Sequence, residues 1–211
     1  MNIKDLNPTK LWNHFHELTQ IPRPSKQEQG AATYVIEFCK NNKLNYTTDE
    51  AGNVLVSKQA SAGLENASGV ILQSHLDMVP QKNEGVDHDF TKDPIEAYID
   101  GEWVTARNTT LGADNGIGVA AMLAILEDET LTHGPLEALF TIDEETGMTG
   151  AFALKKDWLR GKTLINLDSE DETELFIGCA GGVDVNIRLN YSAIPTPDNY
   201  NSYIMIVKGL K

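Results

Sequence analysis

The sequence predicts an α/β fold in which helices pack against a mixed, largely parallel β-sheet. Segments with strand character alternate with segments of helical periodicity along most of the 211 residues, an order typical of layered α/β domains. The stretch from 116 to 128 is apolar on nearly every side, which predicts a helix enclosed between layers. Several strands end in acidic or histidine side chains, and ligands bind at the carboxyl ends of strands in such sheets.

The composition describes a chain that can bury one complete core and part of another. Apolar residues make up 41% of it, and 17 basic against 31 acidic side chains give a net charge of −14. That charge repels phosphate backbones and anionic lipid, so we expect neither nucleic-acid nor membrane partners. It suits a protein that collects carboxylates around cations. The sequence has no hydrophobic signal core and only two cysteines, so a cytoplasmic location is expected.

The first quarter of the chain predicts two amphipathic helices. Asn7-Pro8 is typical of a helix start, and Leu11, Phe15 and Leu18 follow at helical spacing. Residues 25–28 (Ser-Lys-Gln-Glu) have the pattern of a capping box, in which the two outer side chains satisfy backbone N–H groups. The apolar face predicted for the second helix consists of Ala31, Tyr34, Val35, Phe38 and Cys39.

Short apolar segments between turn residues predict the strands. A Gly52-Asn53 turn precedes the first of them, and Asp100-Gly101 joins two of them into a hairpin. The predicted strands are Val54–Val56, Val70–Leu72, Ile95–Ile99, Trp103–Thr105, Leu136–Ile142 and Leu164–Leu167.

Polar side chains at the ends of these elements carry the candidate chemistry. They are His75, Asp77, Asp114, Glu144, Glu145 and Asp168. His75 and Asp77 are separated by one residue, so both point to the same side of an extended chain. An imidazole nitrogen with several carboxylate oxygens and no thiolate suits Zn²⁺, Mn²⁺ or Co²⁺. Two such ions about 3.5–4 Å apart require a bridging carboxylate, as in aminopeptidases.

Each of these residues also has a simpler interpretation. His75 alone could be a core histidine, and Asp114 could cap the following helix. The pair Glu144-Glu145 and the run Asp168–Glu172 could be solvated acidic loops. However, several strand ends that each follow an apolar run would bury uncompensated charge together, which is costly. A metal centre offsets that cost and is therefore the favoured hypothesis.

The remaining histidines and the cysteines have structural interpretations. Four histidines lie in helix or loop contexts and are predicted at the surface or at the edge of the core: His14, His16, His88 and His133. Cys39 lies on an apolar helical stripe and is predicted to be a packing residue. Cys179 lies in a glycine-rich loop near the proposed site and is also predicted to be structural.

Four segments carry a family resemblance. They are Ser74–Val79, Thr110–Gly118, Asp143–Ala151 and Asn166–Glu170, and Ile177–Gly182 is also typical. In this order and spacing they resemble the M20 family of metallopeptidases, and more closely its aminoacyl-histidine dipeptidases (Xaa-His dipeptidases, peptidase D). A lone His-x-Asp or Glu-Glu is a weak signal, but together they are specific, and the resemblance covers essentially the whole chain. It implies a three-layer zinc-peptidase catalytic domain.

The resemblance implies a ligand set for two zinc ions, with Co²⁺ or Mn²⁺ as possible substitutes. His75 and Asp168 resemble terminal ligands of one ion, and Glu145 resembles a ligand of the other. Asp114 resembles the carboxylate that bridges the two ions.

The resemblance also implies catalytic roles for two carboxylates. Glu144 resembles the general base, which takes a proton from a water held between the two cations and passes it to the departing amine. Asp77 resembles the carboxylate that orients His75. Because adjacent residues on a strand point apart, both glutamates must lie where the strand is ending. Gly147 and Gly150 are expected to permit that turn.

The resemblance implies a protein more than twice this length. In such proteins a lid or dimerisation domain is inserted into the catalytic domain, which then resumes and supplies a last histidine ligand. We therefore expect residues 1–182 to form the N-terminal part of the catalytic domain and residues 183–211 to begin the lid domain, where the chain is truncated. Whether the chain is a fragment, or obtains its missing half elsewhere, stays open. A homodimer is expected for the full-length form.

The predicted function is hydrolysis of unblocked dipeptides, with a preference for histidine on the C-terminal side. An aminoacylase or tripeptidase of the same family and a catalytically silent truncated chain are the alternatives. A calcium-binding acidic module is disfavoured, because no EF-hand pattern is present and histidine is a poor ligand for Ca²⁺.

Overall fold

The computed structural model describes residues 2–169, 174–178, 181, 185–192, 194–195, 197–201 and 203–205. The chain divides into two compact units, residues 1–172 and 173–211. All the helices and strands assigned in the described residues belong to the first unit. The predicted boundary between residues 182 and 183 lies outside the described residues and stays a prediction. The same holds for Cys179 and for residues 170–172 of the acidic run.

The first unit contains five α-helices and seven strands among its described residues. The helices are α1 (Thr9–Thr19), α2 (Gln29–Asn41), α3 (Ala113–Leu126), α4 (Glu144–Gly147) and α5 (Thr149–Phe152). The strands are β1 (Asn45–Thr48), β2 (Val54–Lys58), β3 (Val70–His75), β4 (Ala97–Asp100), β5 (Trp103–Ala106), β6 (Leu136–Thr141) and β7 (Thr163–Asn166). In the part of the chain that the structure describes, no helix is long and apolar enough to cross a membrane.

The main sheet is mixed and has the strand order β1-β2-β6-β3-β7. Its centre is parallel, because β3 pairs with β6 on one side and with β7 on the other. β2 pairs with β6 in the antiparallel sense, and β1 continues that arrangement at the edge. This confirms the predicted α/β class. In the parallel part His75 lies opposite Thr141 and Gln73 opposite Asn166, so the three strands end at the same edge of the sheet.

Helices α1, α2 and α3 share one apolar core with one face of this sheet. Phe15 of α1, Val35 of α2 and Leu123 of α3 are buried together with Leu72 and Phe140 of the central strands. Burial of each such side chain contributes about 1.5–3 kcal/mol. α3 is apolar on nearly all sides, and eight of its fourteen residues are buried, as its composition predicts. A smaller cluster lies on the other face, where Leu55, Ile71 and Leu139 pack against Leu154, Trp158 and Leu159.

Two local features differ from the sequence prediction. The capping-box prediction at residues 25–28 is wrong, because α2 begins at Gln29 and no side chain caps it. Ser25 instead donates its hydroxyl to Asp77, and Glu28 turns its carboxylate to the backbone of Lys26 and Asp143. The edge strand β1 was not predicted, since its polar sequence has no apolar run. The hairpin β4–β5 is confirmed as a separate two-stranded sheet.

Candidate metal centre

His75 is the last residue of β3 and lies at the centre of the cluster that the predicted site residues form. Its ring is 1% exposed. Nδ1 lies 3.1 Å from Oδ1 of Asp77 and 3.2 Å from the Asp77 carbonyl oxygen. Nε2 therefore points the other way, 2.9 Å from Oδ1 of Asp114 and 3.6 Å from Oδ2 of Asp168. The structure thus brings four of the six predicted residues together around one imidazole.

Asp114 reaches His75 because the start of α3 is distorted. Gly112, before the helix, has φ 72°, and Asp114 and Asn115 have non-helical backbone angles. No side chain caps α3, so the simpler interpretation of Asp114 as a helix cap does not hold. Its half-exposed carboxylate faces His75 and lies within hydrogen-bonding reach of the Asp168 carboxylate.

The two glutamates follow β6 on a turn that is held by buried carboxylates. Asp143 has φ 48° and leads directly into α4. The backbone N–H of Asp143 donates to Oε1 of Glu28 at 3.0 Å. The next two N–H groups, of Glu144 and Glu145, donate to Oδ1 and Oδ2 of Asp77 at 3.0 and 3.2 Å. Since the chain turns here, neighbouring side chains that would diverge on a strand both reach the cluster.

The side chains form two overlapping groups of metal-ligand type. Ligand atoms of His75, Asp114 and Glu145 all lie within 4.8 Å of one another, and so do those of His75, Glu144 and Asp168. Both groups combine a ring nitrogen with carboxylate oxygens. This donor set and its spacing fit divalent cations of the zinc type.

A third group is fully buried and has a different character. Oxygen atoms of Glu28, Asp77 and Asp143 also lie within 4.8 Å of one another. These oxygens already accept hydrogen bonds, however: the Asp143 carboxylate accepts from the hydroxyls of Thr146 and Thr149, and the other two accept from the backbone of the glutamate turn. The three carboxylates of this group therefore connect the backbone segments around them through hydrogen bonds.

The cluster combines one imidazole ring with several carboxylates, and these groups shift one another's pKa values. Burial opposes protonation of His75, but hydrogen bonds to Asp114 and Asp77 outweigh burial and raise its pKa to about 10. Burial alone would raise the pKa of Asp77, yet hydrogen bonds from His75, the Glu144 N–H and Ser25 lower it to about 2. Asp77 is thus an anion at any physiological pH.

Three other carboxylates of the cluster have pKa values that shift upward, opposite to that of Asp77. Burial, and then neighbouring carboxylates, raise the pKa values of Glu144, Glu145 and Asp168. A divalent cation among these oxygens would supply the missing positive charge and would take the place of the proton on Nε2 of His75. The residues present therefore fit a metal ion chemically as well as by distance.

Asn53, a buried residue just before β2, supports the segment that carries the two glutamates. Sequence reasoning missed this residue. Its Oδ1 accepts from the N–H of Ile142 at 3.1 Å, and its Nδ2 donates to the carbonyl of Gly150 at 2.9 Å. Its Nδ2 also donates to Oδ2 of Asp49 at 2.7 Å. One amide side chain thus closes both ends of segment 142–150, which carries the two glutamates. The Gly52-Asn53 turn was the only sequence signal.

The two glycines of this segment do not act alike. A Cβ at Gly150 would lie 2.6 Å from the Ile142 carbonyl oxygen and would also collide with Oδ1 of Asn53, whereas a Cβ at Gly147 would meet nothing closer than 3.7 Å. Neither glycine has a positive φ; the left-handed residues are Asp143 and Met148. The expectation that Gly147 permits the turn is therefore wrong, and Gly150 is required for close packing.

The other histidines lie apart from the cluster, as predicted. His14 contacts Tyr34 and Glu127, His88 packs against Phe90, and His133 contacts the Gly134 carbonyl. His16 lies beside Glu17 on α1. Cys39 is completely buried in the apolar core, which confirms its packing role.

Comparison with protein families matches residues 71–195 to the peptidase family M20/M25/M40. The match spans more than half of the chain, which therefore belongs to that family. The predicted family resemblance is confirmed.

Two relatives match this chain over most of its length. The cytosol non-specific dipeptidase of Escherichia coli is 50% identical over 209 residues, which cover 99% of this chain and 43% of that protein. The crystal structure of aminoacylhistidine dipeptidase from Vibrio alginolyticus matches with a TM-score of 0.80 and 54% identity, over 82% of this chain and 35% of that one. The chain spans less than half the length of these relatives.

A more distant solved structure shares the fold. Aminopeptidase PepT from Bacillus cereus matches with a TM-score of 0.66 and 25% identity, over 79% of this chain and 44% of that one.

Proposed function

We propose that this chain provides most of the metal-binding side chains of a dinuclear zinc dipeptidase, which cleaves unblocked dipeptides and prefers histidine on the C-terminal side. The observation that carries the proposal is the convergence of His75, Asp114, Glu144, Glu145 and Asp168 within 4.8 Å groups at one edge of the sheet. The names of two close relatives, a non-specific dipeptidase and an aminoacylhistidine dipeptidase, support the substrate class.

The proposed ligand arrangement follows from what each side chain can offer. Nδ1 of His75 faces Asp77, so the ring has a single nitrogen, Nε2, for one ion. Asp168 lies beside Nε2 and would share that ion, while Glu145 would bind the second. Asp114 is the suited bridge, because a carboxylate has two oxygens and Asp114 belongs with His75 and Glu145 in one group. When bound, a zinc pair polarises a peptide carbonyl and makes water more acidic.

Glu144 is the proposed general base. Its carboxylate reaches the cluster, and burial raises its pKa, which makes it a better proton acceptor. A carboxylate oxygen of Glu144 would take the proton of the attacking water and would then deliver it to the nitrogen of the departing amine. The proton is conserved, so Glu144 ends each cycle ionised.

Asp77 is the proposed orienting carboxylate. By accepting from Nδ1–H it fixes the tautomer of His75 that leaves Nε2 free for an ion. The same carboxylate holds the backbone N–H groups of both glutamates. One anion would therefore set the position of the ring and of the base together.

The experiment compares substrates and metals. The 211-residue chain and the longest reading frame that contains it are purified, stripped with chelator and reloaded with Zn²⁺, Co²⁺ or Mn²⁺. Each is assayed on a dipeptide ending in histidine, a dipeptide ending in leucine, a tripeptide and an N-acyl amino acid. We expect metal-dependent cleavage of both dipeptides, with the larger kcat/KM for the histidine one.

The same panel identifies the alternatives. A larger kcat/KM for the tripeptide would favour a tripeptidase. Cleavage of the N-acyl amino acid instead would favour an aminoacylase. No cleavage by the longer protein with any metal would overturn the proposal and leave a catalytically silent chain.

Location and assembly complete the proposal. The relative from Escherichia coli is named a cytosol enzyme, and we propose the cytoplasm for this protein too. We also propose a homodimer for the longer protein, which light scattering coupled to gel filtration would measure; a monomeric mass would contradict it.

A further inference from the structure

We propose that Arg23 is a positioning residue of the metal centre: its buried guanidinium joins the turn that carries Asp114 to the segment that follows His75, and so sets the distance between these two ligands. The inference rests on the proposed function, since it concerns the geometry of the same site. Neither the family motifs nor the apolar pattern of the sequence pointed to Arg23.

The contacts of Arg23 span the two segments. Nη1 donates to the carbonyl oxygens of Leu76 and Asp77, each at 3.0 Å. Nη2 donates to the carbonyl oxygen of Gly112. The backbone of Arg23 is fixed as well, because its carbonyl accepts from the N–H of Met78 at 3.1 Å. One planar group therefore holds the chain just after His75 and just before Asp114.

The glycines around Asp114 make room for this guanidinium. A Cβ at Gly112 would lie 2.6 Å from Nη2 of Arg23, and a Cβ at Gly116 would lie 2.5 Å from the same atom. Real Cβ atoms do not approach so closely. Gly116 has no positive φ, so backbone conformation does not explain it, whereas clearance for Arg23 does. The Gly-x-Asp-x-Gly pattern around Asp114 is thus accounted for from both sides.

The charge of Arg23 matters in addition to its reach. The side chain is 1% exposed, and burial lowers its pKa to about 10, while Asp77 and Asp114 act in the opposite direction. It remains a cation at neutral pH, next to two carboxylates of the cluster. Lysine cannot replace it, because an ammonium group lacks the planar fork that reaches carbonyl groups on two segments at once.

The test measures metal binding directly. The chain is titrated with Co²⁺, and its visible absorption band reports affinity and ligand geometry. Arg23→Lys keeps a cation but loses the fork, and Gly116→Ala keeps the guanidinium but displaces it. We expect both variants to bind Co²⁺ about 10–100-fold more weakly, as when a partner of a ligand is removed, and to shift the band. In the longer protein, kcat on a dipeptide should fall more than KM rises.

Two control variants separate positioning from general destabilisation. Val35→Ala removes packing from the buried face of α2 and should lower the melting temperature with unchanged Co²⁺ affinity. Arg107→Lys makes the same chemical change at an exposed arginine that pairs with Glu96 and should have no effect on binding.

The outcomes are distinct. Wild-type Co²⁺ affinity in Arg23→Lys or in Gly116→Ala would overturn the proposal, as would an equal loss in Val35→Ala. Failure of both site variants to fold would also overturn it, because Arg23 would then be a requirement of the fold as a whole. If the wild-type protein binds no Co²⁺, either as this chain or as the longer protein, the proposed function fails together with this inference. If it binds Co²⁺ and only the variant effects are missing, the inference alone fails.

Discussion

His75 is buried and His14 is partly buried, and the surroundings of the two rings differ in the number of carboxylates near them. The His14 ring lies between α1 and α2, where Nδ1 contacts the hydroxyl of Tyr34 at 2.8 Å and the ring edge faces Phe38. One carboxylate, that of Glu127, lies 3.5 Å from Nε2. His75 has three carboxylates near its two nitrogens.

The consequence is an opposite response to the same burial. Burial lowers the pKa of His14, and Glu127 does not compensate for it. At His75 the hydrogen bonds to Asp114 and Asp77 overcome burial and raise the pKa to about 10. The His14 ring, between two helices, therefore favours the neutral form, whereas the His75 ring, among carboxylates at a strand end, favours the protonated form. Burial alone does not distinguish the two rings; the number of converging carboxylates does.

The largest expected effect is on catalysis. Glu144→Gln keeps the shape of the side chain and removes its ability to accept a proton, so kcat of the longer protein should fall about 10²–10⁴-fold. Bound zinc, measured by elemental analysis after gel filtration, should be unchanged. An equal loss of metal would instead make Glu144 a ligand, as its place in the group with His75 and Asp168 allows.

The next largest effect tests the difference between the two histidines. His75→Ala should weaken Co²⁺ binding more than about 100-fold, since removing a ligand exceeds the effect of removing a ligand's partner. His14→Ala, the same change at a partly buried ring outside the cluster, should leave Co²⁺ affinity unchanged and lower only the melting temperature. Calorimetric titration measures the first and thermal unfolding the second. Similar Co²⁺ affinities in the two variants would refute the distinction.

A smaller effect is expected at the glutamate turn. Gly150→Ala places a methyl group against Ile142 and Asn53, and overpacking of this kind costs about 1–3 kcal/mol of stability. Gly147→Ala adds the same methyl group where space is open and should change stability by less than about 0.5 kcal/mol. Denaturant unfolding of the two variants gives the difference; equal midpoints would contradict the close packing at Gly150.

The smallest effect is a pH dependence at His14. Because its pKa is lower in the folded state, the unfolded chain binds more protons as pH falls below about 6.5, and stability is lost there. Each unit of pKa difference corresponds to about 1.4 kcal/mol. His14→Gln cannot titrate, so its free energy of unfolding should fall less than that of wild type between pH 7 and 5. Parallel curves for the two proteins would contradict the expectation.

The sequence predicted those parts of the molecule that depend on local pattern. The apolar stripes of α1 and α2, the enclosed helix α3 and the strands β3 and β6 follow from spacing alone. Most of the site residues could be named because they follow apolar strands, and parallel strands bring such ends to one edge. Asp114, at the start of α3, was named from the turn before that helix.

What the sequence could not predict depends on contacts between distant residues. Glu28 has the local signature of a helix cap, yet it binds the N–H of Asp143, 115 positions away. Asn53 and Arg23 act in the same long-range way, and neither has a periodic or motif signal. The edge strand β1 gains its conformation from pairing with β2, since polar residues such as Asn45 and Thr48 carry no apolar alternation.

Asp77 links the imidazole of His75 to the short helix α4, because its carboxylate contacts the ring and also accepts from the backbone of that helix. A tilt of α4 would pull on Oδ1 and Oδ2 of Asp77 and rotate the ring of His75 with them. A substitution of Asp77 would therefore disturb the His75 ring and the backbone of both glutamates together. A movement of the glutamate turn would thus reach the His75 ring through the single side chain of Asp77.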